Sequence, residues 1–99
     1  MIEKWSGAVL IDDILVNWPM GKLLLSNNEV TLRAGILGTY TFKPEDIYFF
    51  EPLGFIPFIG QGIKLHHKVR TYPLIIEFSC FTYSAENIVK KFKLAGFGT

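Results

Sequence analysis

Between Tyr72 and Phe97 the spacing of apolar residues changes from two to about 3.6, so one strand and one helix must follow each other there. Leu74, Ile76, Phe78 and Cys80 fall on one face of an extended segment, while Glu77 and Ser79 share the other with Ile75 and Phe81. Ala85, Ile88, Val89 and Phe92 then recur at helical spacing, with Lys90, Lys91 and Lys93 opposite. Ser84 is the expected N-cap, Glu86 suits the first turn, and the lysines lie toward the negative end of the helix dipole. Gly96 supplies a left-handed residue after the last turn and brings Phe97 to Phe92. Burying Ile88, Val89 and Phe92 on a sheet stabilises the fold by roughly 5 to 9 kcal/mol before entropy is counted.

Everything upstream reads as short strands that such a helix covers. Ala8 to Ile11 and Ile14 to Val16 flank Asp12-Asp13, and the segment fits either a helical stripe (Ile11, Ile14, Leu15, Trp18) or two β runs around a tight turn. Strand is favoured by the Val and Ile content and by Pro19, which pushes Trp18 toward extended geometry and stops the run. Lys22 to Ser26 and Glu29 to Arg33 make a hairpin around Asn27-Asn28, since asparagine tolerates the positive φ of a primed turn. Gly35 to Gly38 forms a second connection, with Ile36-Leu37 read as a tip tucked over the core. Thr39 to Phe42, Ile47 to Glu51 and Gln61 to His66 follow as strands, with Pro44-Glu45-Asp46 between the first two.

A chain of 99 residues forms a single domain over 1–99 and buries only about 60 to 65% of its unfolded surface, so the core must be used efficiently. Its apolar runs fall well short of the roughly 20 residues of a spanning helix, and Met1 to Gly7 lack the pattern of an export signal. One cysteine on the apolar face of a strand suits a small buried hydrophobe in a reducing compartment. The expectation is a cytoplasmic protein, free or peripheral at the membrane. Net charge is +1 but uneven: residues 1–52 hold four Lys/Arg against seven Asp/Glu, and 53–99 hold six against two. The second half thus suits an anionic partner, without the basic excess of a nucleic-acid binder.

Two features carry the functional candidates. Pro52 to Gly60 holds two prolines and two glycines, which reads as a loop, yet five of its nine side chains are large and apolar. Phe55, Ile56 and Phe58 either fold back over an open end of the sheet or form an exposed contact loop. Ile63 and Leu65 point inward, leaving Lys64 and His66 outward, and with Lys68 and Arg70 these form a basic rim for an anionic ligand or membrane surface. The bland alternative is a solvated strand face.

Chemistry beyond binding finds little footing. His66 and His67 are strand neighbours pointing to opposite faces and do not chelate one metal together. Asp12-Asp13 and Glu45-Asp46 are the usual residues of turns and caps. A Cys80 nucleophile with His66 or His67 as base is chemically poor, because an apolar setting raises a thiol's pKa. No phosphate loop or nucleophile elbow occurs, so no enzyme, metal or cofactor is expected.

Several short strands before one C-terminal helix, the run Gly21 to Arg33, and Pro44 to Ile47 together resemble the pleckstrin-homology-like (PH-like) superfamily, in its GRAM-like and small bacterial branches. There a "gly-x-leu-x-leu-ser/thr-asn" hairpin precedes a "pro-x-x-asp-ile" strand entry, matched here by Gly21 to Asn27 and Pro44 to Ile47. Gly62 to His66, leading through Tyr72-Pro73 to a "leu/ile-x-ile-x-phe" strand, is similar to the last hairpin of membrane-associated relatives. The likeness spans about residues 20–97 and its motifs are strand patterns. It implies a mainly β fold: a bent, partly open barrel of two packed antiparallel sheets capped by the helix. It also implies a non-catalytic module that docks to lipid head groups, an anionic membrane surface or a protein. Relatives that bind lipid hold phosphate with Lys and Arg between the first two strands, where this chain offers only Lys22 and Arg33. The other expectation is a protein-interaction or homo-oligomeric module working through the 52–60 loop.

Overall fold

The computed structural model describes residues 3–26, 28–56, 60–80 and 85–97, except for the side chains of 54–60. Seven strands, β1 (Glu3–Ile11), β2 (Ile14–Leu25), β3 (Val30–Ala34), β4 (Thr39–Phe42), β5 (Ile47–Ile56), β6 (Gly60–His67) and β7 (Ile76–Cys80), precede one helix, α1 (Ala85–Leu94). The strands hydrogen-bond into one antiparallel sheet of order β4-β3-β2-β1-β7-β6-β5. The two edge strands, β4 and β5, are consecutive in sequence. Laid flat, seven strands would hold them about 29 Å apart, whereas the five steps from Phe42 to Ile47 span at most roughly 19 Å. The sheet therefore curls into a half-barrel, and its concave face becomes the core.

Curling concentrates strain where β1 passes between the two meanders, and glycine relieves it. Gly7 pairs with Gly21, and a Cβ on Gly7 would collide with the Ser79 carbonyl oxygen of β7. A Cβ on Gly21 would sit 2.6 Å from Val9 Cγ2 and 2.7 Å from the Gly7 oxygen. Just beyond, the register shifts: Gly7 pairs with Gly21 but Val9 with Val16, so Asn17 to Met20 face Ala8 alone. Pro19, following a cis peptide bond, lies within this bulge, where its missing N–H removes no ladder bond.

Inward side chains alternate as the sequence pattern requires: Val9 and Ile11, Leu23 and Leu25, Val30 and Leu32, Ile63 and Leu65, Ile76 and Phe78 are all buried. The helix closes the end of this trough. Phe92 is wholly buried, its ring 4.3 Å from Phe50 and edge-on to Trp5 at 5.8 Å. The helix ends as its residues demand, since Gly96 has φ +93°, its N–H bonds the Lys93 carbonyl and the Phe97 N–H bonds the Phe92 carbonyl. At the other end the Ala85 N–H donates to Gln61 Oε1 at 2.8 Å. The expected cap, Ser84, lies outside the described residues. Lys91 Nζ donates to Glu3 Oε1, tying the helix to β1.

Three local expectations are corrected. The run through Ile14 does not stop at Trp18-Pro19, because the bulge carries β2 on to Leu25. The β2–β3 hairpin does fall where expected, since Leu25 pairs with Val30 and the Ser26 N–H donates to the Glu29 carbonyl on either side of Asn27-Asn28. Strand β5 continues from Glu51 to Ile56, because an edge strand accepts Pro52 and extra residues at Tyr48 and Leu53 are taken up as bulges. Residues 52–56 are thus strand rather than loop. Strand β7 begins at Ile76 with Leu74 79% exposed, because Asp12 takes φ +53° and turns β1 away from further pairing.

Two substitutions test this account by chemical denaturation. Phe92→Ala is expected to cost about 3 to 5 kcal/mol through the cavity it leaves. Gly7→Ala, at a far smaller change in volume, is expected to cost at least about 3 kcal/mol through its clash with β7.

Candidate docking surface

The basic rim expected from the sequence divides into two groups. Lys64 faces Glu51 on one neighbouring strand and Glu77 on the other in the pairing register, an arrangement that offsets its charge. His66 donates from Nε2 to Glu51 Oε1 at 2.7 Å and stacks on Phe49 with ring centroids 4.1 Å apart. Lys64 and His66 do point outward as expected, but onto a face that also holds two carboxylates. Lys68 and Arg70 lie instead on the β6–β7 loop.

That loop is held from both ends by His67. The Val69 N–H donates to His67 Nδ1 at 3.1 Å, and His67 Nε2 donates to the Pro73 carbonyl at 2.7 Å. Because Nδ1 accepts, the proton lies on Nε2. The ring also packs on Phe42 at 5.3 Å and Tyr72 at 6.2 Å. The Tyr72 hydroxyl donates to the Thr41 carbonyl and accepts from the Thr41 N–H, both at 3.2 Å. It thereby occupies backbone groups on edge strand β4. The Lys68 N–H donates to the Asp46 carbonyl, which ties the same loop to the β4–β5 link. His67 and Tyr72 thus bridge the gap between the curled edges.

Tyr48, His67, Lys68, Val69, Arg70, Tyr72 and Leu74 line a groove of about 550 Å³. Its wall holds two cations and no carboxylate, and Lys68 Nζ rests 5.4 Å from the Tyr48 ring centre. Leu74 connects this groove to the β1–β2 turn, because the Asp12 N–H donates to the Ile75 carbonyl and the Ile75 N–H donates to Asp12 Oδ1.

On the other side of that turn the surface is apolar. Ile14, Leu15, Trp18 and Met20 of β2 are 43 to 60% exposed, and Ile36 stands fully in solvent. Gly35 lies beside Val16, a Cβ there falling 3.6 Å from Val16 Cγ1, so the Gly35–Leu37 turn adjoins β2. Ile36 is therefore not tucked over the core, because positive φ at Gly35 and Gly38 turns it outward while Leu37 packs inward. With Leu74, six of the nine large hydrophobic residues exposed among the described residues gather at the barrel end remote from the helix and along β2. Sequence reasoning passed over Trp18 and Met20. The usable signal was an uncharged run from Ile14 to Gly21 interrupted by proline.

The other candidates take structural places. Phe55 and Ile56 belong by backbone to β5, opposite Gln61 and Gly60; their side chains and all of Phe58 lie outside the described residues. Asp12 serves the turn, and Asp46 Oδ2 accepts from the Lys43 N–H. Cys80 is buried in the core. Among the described residues no group of three His, Cys, Asp or Glu side chains is placed to hold a metal ion, and no helix is long and apolar enough to cross a membrane. Compared with known proteins, the chain matches no family model, no curated protein and no solved structure at the significance required of a match.

Tyr72→Phe is expected to cost about 1 to 2 kcal/mol, by leaving Thr41 without its partner at the sheet edge. Thermal denaturation measures the loss, and amide exchange should show faster exchange at Thr41.

Proposed function

We propose that this chain is a non-catalytic docking module of the PH-like kind, working through the barrel end opposite the helix, with a protein as its partner. In this reading the curled sheet acts as two layers, β1 to β4 and β5 to β7, joined where β1 meets β7. The order of elements and the motifs at Gly21 to Asn27 and Pro44 to Ile47 support the likeness. The observation that carries the docking reading is the gathering of Ile14, Leu15, Trp18, Met20, Ile36 and Leu74. Taking about 200 Å² for a large apolar residue, their exposed fractions amount to on the order of 800 Å². Ile14 and Leu15 are strand neighbours on opposite sides of β2, so this exposure is spread around the end of the β1–β2 hairpin; clustered apolar exposure on this scale marks interaction sites on soluble proteins.

Lys68 and Arg70 beside Leu74 favour a second reading, an anionic lipid surface. Two such cations supply about 2 kcal/mol there, roughly a thirtyfold gain. The turn between β1 and β2, where lipid-binding relatives place their cations, instead carries Asp12 and Asp13, both exposed at this same end. Like charge there opposes an anionic membrane, and the protein reading is preferred for that reason.

Flotation with vesicles containing phosphatidylserine at low salt separates the two. The protein is expected to stay unbound, and flotation that added salt reverses would overturn the protein reading. Ile36→Asp is expected to leave stability within about 0.5 kcal/mol, as exposed sites do, and to abolish cross-linking to the partner in cells.

A further inference from the structure

The groove beside the β6–β7 loop separates polar groups the fold has used from polar groups it has not. His67 spends Nδ1 on the Val69 N–H and Nε2 on the Pro73 carbonyl, and the Tyr72 hydroxyl serves both backbone groups of Thr41. Neither ring has a proton left to donate to a ligand. Lys68 and Arg70 differ, since among the described residues neither has an ion-pair partner and no carboxylate shares the groove wall. The carboxylates nearby are turned to their own backbone: Asp46 Oδ2 accepts from the Lys43 N–H, and Asp12 Oδ1 from the Ile75 N–H. Apolar surface flanks the two cations, with Tyr48 58% and Leu74 79% exposed and Lys68 Nζ 5.4 Å from the Tyr48 ring centre.

We infer that this groove receives an acidic segment of the partner protein, with a carboxylate against Lys68 and Arg70 and an adjoining apolar side chain on Tyr48 and Leu74. The inference rests on the protein-docking reading and names the chemistry of the partner. The planar guanidinium of Arg70 matches a carboxylate through two parallel N–H groups, and Lys68 adds a second positive charge. Tyr48, Lys68, Arg70 and Leu74 all stand exposed, so the groove is too open to bury most of a small ligand but accepts a side chain presented on a larger surface. Two cations also fall short of the several phosphate contacts by which proteins hold nucleic acid. Beyond Leu74 the Asp12-Asp13 turn limits what approaches. An anionic plane meets both signs of charge at once, whereas a single acidic side chain stays on the basic side of Leu74.

The probe is a short labelled peptide alternating glutamate and leucine, titrated by fluorescence polarisation in about 0.1 M salt with protein up to about 1 mM. It is expected to bind, and a peptide with glutamine for every glutamate is expected to bind at least about tenfold more weakly. Lys68→Glu/Arg70→Glu should lose a similar factor, because like charges then meet. Lys90→Glu/Lys93→Glu makes the same change of charge on α1, at the other end of the barrel, and should hold wild-type affinity to within about twofold, since salt screens charges at that separation. Circular dichroism checks that each variant is folded. The inference is overturned if the glutamate peptide fails to bind, if the folded Lys68→Glu/Arg70→Glu protein binds it unchanged, or if the α1 variant loses as much. Those failures leave the docking reading standing where Ile36→Asp still abolishes cross-linking to the partner. Flotation on anionic vesicles that Lys68→Glu/Arg70→Glu abolishes makes the groove a lipid site and removes both.

Discussion

The short link from Phe42 to Ile47 governs this molecule, because it joins opposite edges of one sheet and no flat arrangement lets it reach. Closing that distance bends seven strands around a common axis, which makes a concave core and leaves one end for the helix. The remaining gap is bridged by side chains rather than by strand pairing. Tyr72 occupies backbone groups of Thr41, and His67 packs between Phe42 and the loop that carries Tyr72. Polar contacts at the seam satisfy an edge that would otherwise invite another strand.

The bend also explains where the chain departs from regular β structure. Gly7 and Gly21 let β1, β2 and β7 approach at the corner, and the four residues of β2 that stand opposite Ala8 alone absorb the change of direction. The other free edge, β5, carries a proline and two bulges, which make it a poor template for pairing. Both edges are therefore protected, by Tyr72 on β4 and by irregularity on β5. Apolar exposure is displaced to the overhanging half of β2 and its neighbouring turns, where side chains rather than backbone are presented.

Surface charge follows the same geometry. Lys64 and His66 meet Glu51 and Glu77 only because β5, β6 and β7 lie side by side, so the outward face of the second meander is mixed in sign. Lys68 and Arg70, released from the ladder after His67, keep no acidic neighbour in their groove. The docking readings accordingly rest on the β6–β7 loop and the β1–β2 turn, not on the strand between them.

Much of the local structure was legible in the residues alone. The helix, its Gly96 ending, the inward faces of β3 and β6, the hairpin near Asn27-Asn28 and the burial of Cys80 all follow from spacing and residue type, because they depend on neighbours a few positions away. Other features were decided only when distant segments met. The continuation of β2 past Pro19 and of β5 past Pro52 depends on which strand faces each proline, and the outward turn of Ile36 depends on the backbone at Gly35 and Gly38. The fate of the basic rim depends on Glu51 and Glu77, thirteen residues to either side of Lys64 in the chain yet on the strands beside it. Periodicity fixes which side of its own element a residue occupies; what lies across from it is set by register and curvature, which the whole sheet determines together.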